Sequence, residues 1–263
     1  MNKLPNRVRV LLAASALMLV VSGSALARSK APQAEQPQAE STQSATAESQ
    51  YAAAIDSALR SDADRLQDAK RKPAEFLAFA QVTPGMKVLE LGSGSGSTAA
   101  LLALAVTPDG EVWAHNSRVW PQLDARVAGG AFPNMRLLVG PFENPIPKNL
   151  PPIDLIVMNM AYHDVATFMP DRSAMNLRLY AAVKPGGYLV IVDNAGRPGS
   201  GASETSTLHR IEEDTVVAEL TQAGFTLDAR SDYLRAPSDT RELPYFQMGG
   251  APDDKFALRF VKR

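Results

Sequence analysis

The chain has 263 residues, 45% of them hydrophobic, and its 27 Lys and Arg nearly balance its 28 Asp and Glu. The net charge of −1 comes with no basic stripe of the kind that binds nucleic acid, so we expect no nucleic-acid partner. Because the sequence contains no cysteine, it excludes thiol catalysis, thiolate metal sites, disulfides and lipid attachment to a cysteine.

The first 27 residues have the pattern of a secretory signal peptide. A basic segment precedes a 12-residue core, Val10 to Val21, that is apolar apart from Ser15, and Ala25-Leu26-Ala27 is a suitable cleavage site. Twelve residues are too few to span a bilayer. We therefore expect export to the periplasm, with no stable membrane insertion after cleavage. A retained N-terminal anchor is the alternative.

Residues 28–50 are rich in Gln, Ala, Ser, Pro and Glu and carry no large apolar side chain. Such a segment buries too little surface to offset the entropy of ordering it, so we expect a disordered linker. Residues 51–263 are enough for one domain with a full hydrophobic core. The predicted organisation is therefore a signal peptide (1–27), a linker (28–50) and a single domain (51–263).

In that domain, short apolar segments alternate with helical patterns. The predicted helices cover residues 51–60, 74–80, 98–105, 119–127, 172–183 and 208–223. The predicted strands cover residues 88–91, 111–114, 136–139, 154–158, 188–192, 225–230 and 256–261. This alternation predicts an α/β fold of three layers, a mainly parallel sheet covered on both faces. Because no helical pattern separates the last two strands, they should form an antiparallel hairpin at one edge.

The segment Val88-Leu-Glu-Leu-Gly-Ser-Gly-Ser-Gly96 joins the first strand to a helix. Glycine is needed where the backbone turns at positive φ or where a ligand approaches closely, and such strand–turn–helix junctions bind nucleotide-like ligands. Glu90 could accept hydrogen bonds from an amine or from ribose hydroxyls. An ordinary glycine-rich turn without a ligand is the alternative. A dinucleotide-binding turn is less favoured, because its last glycine is spaced by three residues.

Ligands in such sheets bind beyond the carboxyl ends of the strands. There the sequence places His115-Asn116, Asn159, Tyr162-His163-Asp164 and Asp193-Asn194. A histidine beside a carboxylate is suited to removing a proton from a nucleophile, although Asp164 could instead cap a helix. His209 should begin the helix after the fifth strand, where it would either join the site or face solvent.

The glycine segment resembles the first motif, E/D-x-G-x-G-x-G, of class I S-adenosylmethionine (SAM)-dependent methyltransferases, and Lys184-Pro-Gly-Gly187 resembles their turn before the fifth strand. Further segments include Asp68-Ala-Lys-Arg-Lys-Pro73, Tyr162-His-Asp164, Leu208-His-Arg-Ile211 and Asp254-Lys-Phe-Ala-Leu-Arg-Phe260. Through them the chain is similar, over residues 60–263, to an exported family of predicted methyltransferases. The resemblance implies a Rossmann-like, seven-stranded fold with a reversed C-terminal hairpin strand, and SAM as cofactor. It implies that the cofactor contacts Glu90, Gly92, Ser93, Gly94, Gly96, Asn116 and Asn159. On the acceptor side it implies His163, Asp164, Asp193 and His209.

The sequence departs from these family patterns at two positions. The second strand ends in Asn116, where such enzymes carry an acid that holds the ribose, and Asn194 stands where the family would have His. Catechol-type methyltransferases bind magnesium with residues matching Asp193, Asn194 and Asn159, but Asn159 removes one negative charge from that set, so the metal remains undecided. Arg71-Lys72 could cover the cofactor as a lid or could be a solvated face.

The sequence therefore supports three functional hypotheses. The first is a SAM-dependent methyltransferase acting on a small-molecule acceptor. The second is a catalytically silent small-ligand-binding protein on the same fold, a possibility raised by export away from the cytoplasmic supply of SAM. The third is an NAD-dependent oxidoreductase, which the glycine spacing and the missing ribose acid disfavour. The methyl acceptor and the oligomeric state stay open.

Overall fold

The computed structural model describes residues 38–263, with side chains from residue 47 onward. The predicted signal peptide and the linker up to residue 37 lie outside the described residues. The strands are β1 (Lys87–Leu91), β2 (Glu111–Asn116), β3 (Met135–Val139), β4 (Ile153–Asn159), β5 (Val183–Asn194), β6 (Thr226–Ser231) and β7 (Lys255–Val261). The helices are α1 (Gln38–Asp56), α2 (Asp62–Arg65), α3 (Asp68–Arg71), α4 (Pro73–Phe79), α5 (Ser97–Ala105), α6 (Pro121–Ala128), α7 (Tyr162–Phe168), α8 (Ser173–Ala182), α9 (Thr205–Leu208) and α10 (Glu213–Gln222).

The strands form one sheet in the order β3-β2-β1-β4-β5-β7-β6. The first five strands pair in parallel, whereas β7 runs antiparallel to both β5 and β6. The predicted α/β fold with a reversed C-terminal hairpin strand is therefore confirmed. The reversed strand lies inside the sheet, and β6 forms the edge.

Alternate residues of the central strands face opposite sides of the sheet and enter two separate cores. Val88 and Val112 pack with α5 on one face, while Leu89 and Ile156 pack with α7, α8 and α10 on the other. Helix α5 is apolar on nearly all sides because it lies between the sheet and α1. The carboxyl ends of β1, β2, β4 and β5 then meet at one edge, where the candidate site lies.

Residues 38–50 were predicted to belong to a disordered linker, but in the structure they form the first part of helix α1. The Ala, Glu and Gln content of these residues favours a helix. The C-terminal half of α1 is held to the core by two hydrogen bonds. The Tyr51 hydroxyl donates to the carbonyl of Val82 at 2.8 Å, and Gln50 Nε2 donates to that of Ala105 at 2.8 Å. Among the described residues, none of the helices combines the length and apolar character needed to cross a membrane.

Candidate functional site

The glycine segment forms the sharp turn that its sequence predicts. Gly92, Gly94 and Gly96 have φ angles of 74°, 54° and 84°, in the region that other residues rarely adopt. A Cβ on Gly92 would lie 2.6 Å from that of Ala161, and one on Gly96 would lie 2.6 Å from Leu123 Cδ1. A Cβ on Gly94 would meet no described atom within 4 Å. Two of the glycines thus allow tight packing, and the third leaves an open space beside the turn.

Asn116 makes contacts with the glycine turn that the sequence did not predict. Its Oδ1 accepts from the backbone N–H of Gly94 at 2.9 Å, and its Nδ2 donates to the Gly94 carbonyl at 2.9 Å. Both polar atoms of the side chain are therefore engaged in fixing the glycine turn. The expected contact of Asn116 with a ribose hydroxyl remains a prediction that this geometry makes less favourable.

Glu90 is the acidic group beneath the turn. Only 2% of it is exposed, and burial raises its pKa to about 7, opposed by hydrogen bonds from Ser93 and Thr98 and by the charge of Arg71. Within the described part of the chain, its Oε2 is buried without a hydrogen-bond partner. A buried carboxylate oxygen left unsatisfied beside an open cavity is suited to a ligand that donates hydrogen bonds.

A segment before β1, Asp62–Arg71, covers the glycine turn, and the sequence interpretation missed what holds it there. Asp64 is buried, and Arg126 donates to its two carboxylate oxygens at 2.7 and 2.8 Å. Although burial alone would raise the pKa of Asp64, Arg126 and the hydroxyl of Ser97 hold it well below its usual range. Arg126 also donates to the carbonyl of Ser95 at 2.9 Å. The spacing Ser61-x-x-Asp64, a capping box in the structure, was the readable signal for this cover.

Arg71, at the end of that cover, is one of the residues lining the cavity above the turn. Lys72 turns away and donates from Nζ to the carbonyl of Tyr233 at 2.6 Å. Of the two basic residues considered as a lid, therefore, Arg71 is placed over the cavity and Lys72 ties the cover to another loop.

The first cavity, of about 750 Å³, is bounded by the glycine turn, the ends of β2 and β4 and helix α7. Seven of the predicted site residues line it: Glu90, Gly92, Ser93, Gly94, Asn116, Asn159 and Asp164. Trp120 and Phe142 add aromatic walls. Gly96, His163, Asp193 and His209 are not among its lining residues. The unsatisfied oxygen of Glu90 and the open space at Gly94 fit a nucleoside with an attached amine, as in SAM.

His163 lies in a second group of polar residues on the other side of Met160. Its backbone N–H donates to Asp193 Oδ2 at 2.9 Å and its Nδ1 donates to Asp193 Oδ1 at 2.5 Å. Burial by itself lowers the pKa of His163, but the charges of Asp193 and Asp164 outweigh it and raise that pKa to about 10. Neither ring nitrogen presents a lone pair to a nucleophile in this arrangement, which disfavours the predicted role in proton removal.

Asp164 joins the two histidines. Its Oδ1 lies 3.2 Å from His163 Nε2 and 3.5 Å from His209 Nδ1. Burial alone would raise the pKa of Asp164, yet the two histidines lower it. Asp164 does not cap a helix, because α7 already begins at Tyr162 and Ala161 is its N-cap residue. The prediction that His209 begins a helix is also wrong: it follows α9 with a left-handed φ of 53°.

The side chains considered for a magnesium site, Asp193, Asn194 and Asn159, each contact other protein groups in the structure. Asp193 is fully buried, and it accepts a further hydrogen bond from the Asn194 N–H at 2.8 Å. Asn194 Nδ2 donates to the His209 carbonyl at 2.9 Å, and Asn159 Nδ2 donates to Thr98 Oγ1 at 3.3 Å. These contacts organise the strand ends, whereas Asn194 Oδ1 is buried without a hydrogen-bond partner among the described residues, and magnesium binding by this set stays a prediction.

A second cavity, of about 580 Å³, lies against the His–Asp group, and Arg71, Met160 and Asp164 line both cavities. Its outer wall includes Phe246, from the loop between β6 and β7. Arg210, 1% exposed, holds that loop by donating to Asp239 Oδ2 at 2.8 Å and to the Leu243 carbonyl at 3.0 Å. This anchor was missed because its partners lie about 30 residues away along the chain.

The sheet order, the reversed strand and a glycine turn beneath a nucleoside-sized cavity define a class I, Rossmann-like methyltransferase fold. A family model described as protein-L-isoaspartate(D-aspartate) O-methyltransferase matches residues 38–169. The chain belongs to this family. A protein-L-isoaspartate O-methyltransferase of Hyperthermus butylicus is 32% identical in an alignment of 129 residues that covers 45% of this chain. The chain spans about half the length, 48%, of that curated relative.

Solved structures are similar in fold. A SAM-dependent methyltransferase from Aquifex aeolicus matches 75% of this chain and 93% of its own, with a TM-score of 0.58 and 20% identity. A 16S rRNA (adenine(1408)-N(1))-methyltransferase from Catenulisporales acidiphilia, solved with SAM, matches 72% of this chain and 90% of its own, with a TM-score of 0.51 and 22% identity. At these identities the likeness concerns the architecture alone.

Proposed function

We propose that this chain is a SAM-dependent methyltransferase whose acceptor carries a carboxylate. The observation that carries the proposal is that two cavities meet at Met160, Asp164 and Arg71. One cavity has the features of a nucleoside site, and the other is lined by charged and aromatic side chains. This arrangement allows two different molecules to meet at a shared boundary, as a group transfer requires.

In the first cavity, Glu90 would hold the cofactor through its unsatisfied oxygen, with Gly94 leaving room for it and Trp120 and Phe142 beside it. When bound, SAM supplies a methyl group on a positively charged sulfur that is ready for in-line displacement. The buried carboxylate of Glu90 also suits the cofactor's amine, because an opposite charge stabilises the ionised form of a buried acid. The Asp64–Arg126 pair would keep the cover over this cavity and so limit the access of water.

The second cavity favours an acceptor that needs no base. Both ring nitrogens of His163 contact carboxylates, so a nucleophile that must lose a proton would find little help there. A carboxylate acceptor is already ionised at neutral pH. Lys70 and Arg71 line the cavity and provide positive charge for it. The name of the Hyperthermus butylicus relative also points to a carboxyl acceptor.

The cofactor part of the proposal is tested by calorimetry of the full chain with S-adenosylhomocysteine. We expect one binding site per chain. Native mass spectrometry of the purified protein adds a second measurement: retained S-adenosylhomocysteine would support the enzyme, and a different retained metabolite would support the silent ligand-binding protein. Quenching or enhancement of nicotinamide fluorescence on addition of NADH would instead favour the oxidoreductase.

The acceptor part is tested with SAM carrying a tritiated methyl group. An isoaspartyl peptide, the matching aspartyl peptide and a small dicarboxylic acid are compared as acceptors. Methyl esters of carboxylates release volatile methanol in mild base, whereas methylated amines and ordinary ethers do not. Base-labile label on the isoaspartyl peptide alone would identify a protein-type acceptor, and label on the small acid would identify a small-molecule acceptor. Base-stable label only would contradict the carboxylate proposal.

A further inference from the structure

We propose that His163, Asp164 and His209 form a binding site for a divalent transition-metal ion of the zinc type. Each contributes one potential ligand atom, and these atoms all lie within 4.8 Å of one another. The site lies on the wall of the second cavity, and it differs from the magnesium site that the sequence suggested. The proposal does not depend on the methyltransferase function, because metal binding can be measured without cofactor or acceptor.

Two of the three distances between ligand atoms are close to those around a tetrahedral ion, and the third is at most 4.8 Å. Zinc bonds to histidine nitrogen and carboxylate oxygen are about 2.0–2.2 Å long, which places neighbouring tetrahedral ligands about 3.3–3.6 Å apart. Asp164 Oδ1 lies 3.2 Å from His163 Nε2 and 3.5 Å from His209 Nδ1. On binding the ion, His163 Nε2 and His209 Nδ1 would each present a lone pair to it, and any hydrogen that these nitrogens direct at Asp164 would be released to solvent.

The neighbours of the ligands support the site. Metal-binding histidines commonly donate their other ring N–H to a carboxylate, which fixes the tautomer and the ring orientation. Asp193 occupies that position for His163, and it is itself held by the backbone N–H groups of His163 and Asn194. His209 is fixed by its left-handed backbone and by the hydrogen bond from Asn194 to its carbonyl. Such strained backbone conformations cluster at functional sites.

The ligand set indicates which metal would bind. Two imidazoles and one carboxylate favour zinc, cobalt or iron over magnesium and calcium, which prefer oxygen ligands. The sequence contains three histidines and no cysteine, and His115 Nε2 instead contacts the carbonyl of Gly140 at 2.9 Å. Three protein ligands leave a fourth position open for water or an anionic oxygen, the pattern of catalytic zinc sites.

The test uses the full chain freed of metal with EDTA, titrated with ZnCl₂ in a calorimeter and with CoCl₂ in a spectrophotometer. We expect one Zn²⁺ per chain and the intense visible absorption of four-coordinate Co²⁺. His209→Ala and Asp164→Asn should each weaken Zn²⁺ binding about tenfold or more, and Asp193→Asn should weaken it about 10- to 100-fold. Asp62→Asn is the matched control, because that carboxylate is 99% exposed, and its Zn²⁺ affinity should equal that of wild type.

The partly exposed position of His209 makes its variant the safest for folding, and the wild-type Co²⁺ spectrum needs no variant at all. Absence of Zn²⁺ binding, an octahedral Co²⁺ spectrum, unchanged affinity in His209→Ala or an equal loss in Asp62→Asn would each overturn the proposal. A failure of S-adenosylhomocysteine binding would leave it standing and would count only against the proposed function.

Discussion

The two cavities that meet at Met160 are built by different means. The first is shaped by backbone: a turn with three glycines at positive φ, fixed by Asn116, with one buried carboxylate beneath it. The second is shaped by polar and charged side chains. A continuous series of contacts runs from Asp193 through His163 and Asp164 to His209. A cavity shaped by backbone can bind the same cofactor in many members of a fold class. A cavity lined by a particular set of charged side chains instead selects which acceptor binds next to that cofactor.

The strongest test of this contrast is a side chain on Gly94. In Gly94→Val a branched residue would have a φ of 54° and would fill the open space, so S-adenosylhomocysteine affinity should fall about 1000-fold, or about 4 kcal/mol. Zinc binding at the other cavity should not change. Calorimetry with both ligands measures the two effects on one sample.

Gly85→Val is the matched control for that variant. Gly85 also has positive φ, 80°, and a Cβ there would meet no described atom within 4 Å, but it lies before β1 and outside the first cavity. The affinity of this variant for S-adenosylhomocysteine should stay within about twofold of wild type. An equal loss in both variants would mean that backbone strain, and not the occupied space, explains the effect.

The cover over the first cavity gives the next largest effect. Arg126→Ala leaves the buried carboxylate of Asp64 without its cation, which should lower the free energy of unfolding by about 3 kcal/mol. Arg136→Ala is the comparison, because it breaks an exposed pair with Glu111 and should cost about 0.5 kcal/mol. Urea unfolding of both variants measures the difference, and equal losses would refute the role given to the Asp64–Arg126 pair.

Glu90→Gln should weaken S-adenosylhomocysteine binding about tenfold by removing a charged acceptor.

Glu90→Gln should also change how the free energy of unfolding depends on pH. Burial raises the pKa of Glu90 to about 7 from 4.5, against the opposing effects of Arg71, Ser93 and Thr98. Between these values the folded protein retains a proton that the unfolded chain releases, so this group's contribution to stability is lost as pH rises. The wild-type free energy of unfolding should therefore fall relative to that of Glu90→Gln from about pH 5 to about pH 7, measured by urea unfolding. A constant difference would show that Glu90 is already ionised.

The smallest effect should come from the outer wall of the second cavity. Phe246 is 58% exposed and contacts His209 edge to face at a centroid distance of 5.7 Å. Phe246→Ala should raise the KM of the isoaspartyl peptide about threefold, with kcat and S-adenosylhomocysteine affinity unchanged. Leu177→Ala, at a 55% exposed position in α8 that lines neither cavity, provides the control. A loss of cofactor affinity in Phe246→Ala would contradict the separation of the two cavities.

The sequence was most informative where the signal is local. The glycines, the turn Lys184-Pro-Gly-Gly187 and the alternation of apolar segments predicted the sheet and the position of the first cavity. The sequence also placed Glu90 next to the turn, since it lies two residues before the first glycine. The conformations of these segments are determined mainly by residues that are close together in the sequence, so a single sequence is enough to predict them.

Long-range contacts could not be read in the same way. Asn116 was expected to contact a ribose hydroxyl, and the sequence did not show that its amide also pairs with the backbone of Gly94, 22 residues earlier. Arg126 and Arg210 find their carboxylates 62 and 29 residues away. The pairing of His163 with Asp193 depends on the register of β4 against β5. A single sequence names the residue types for such pairs and leaves the partners undetermined.

Met160 is one of the three residues that line both cavities, and its backbone is left-handed, with φ of 60°. Its side chain is unbranched and has three rotatable bonds, so it can change shape at little cost. The boundary between the two cavities, where this side chain lies, can therefore adapt to acceptors of different width. Breadth of acceptor choice would then depend on this one flexible thioether, and a stiff β-branched residue in its place would narrow the range while changing the walls of both cavities.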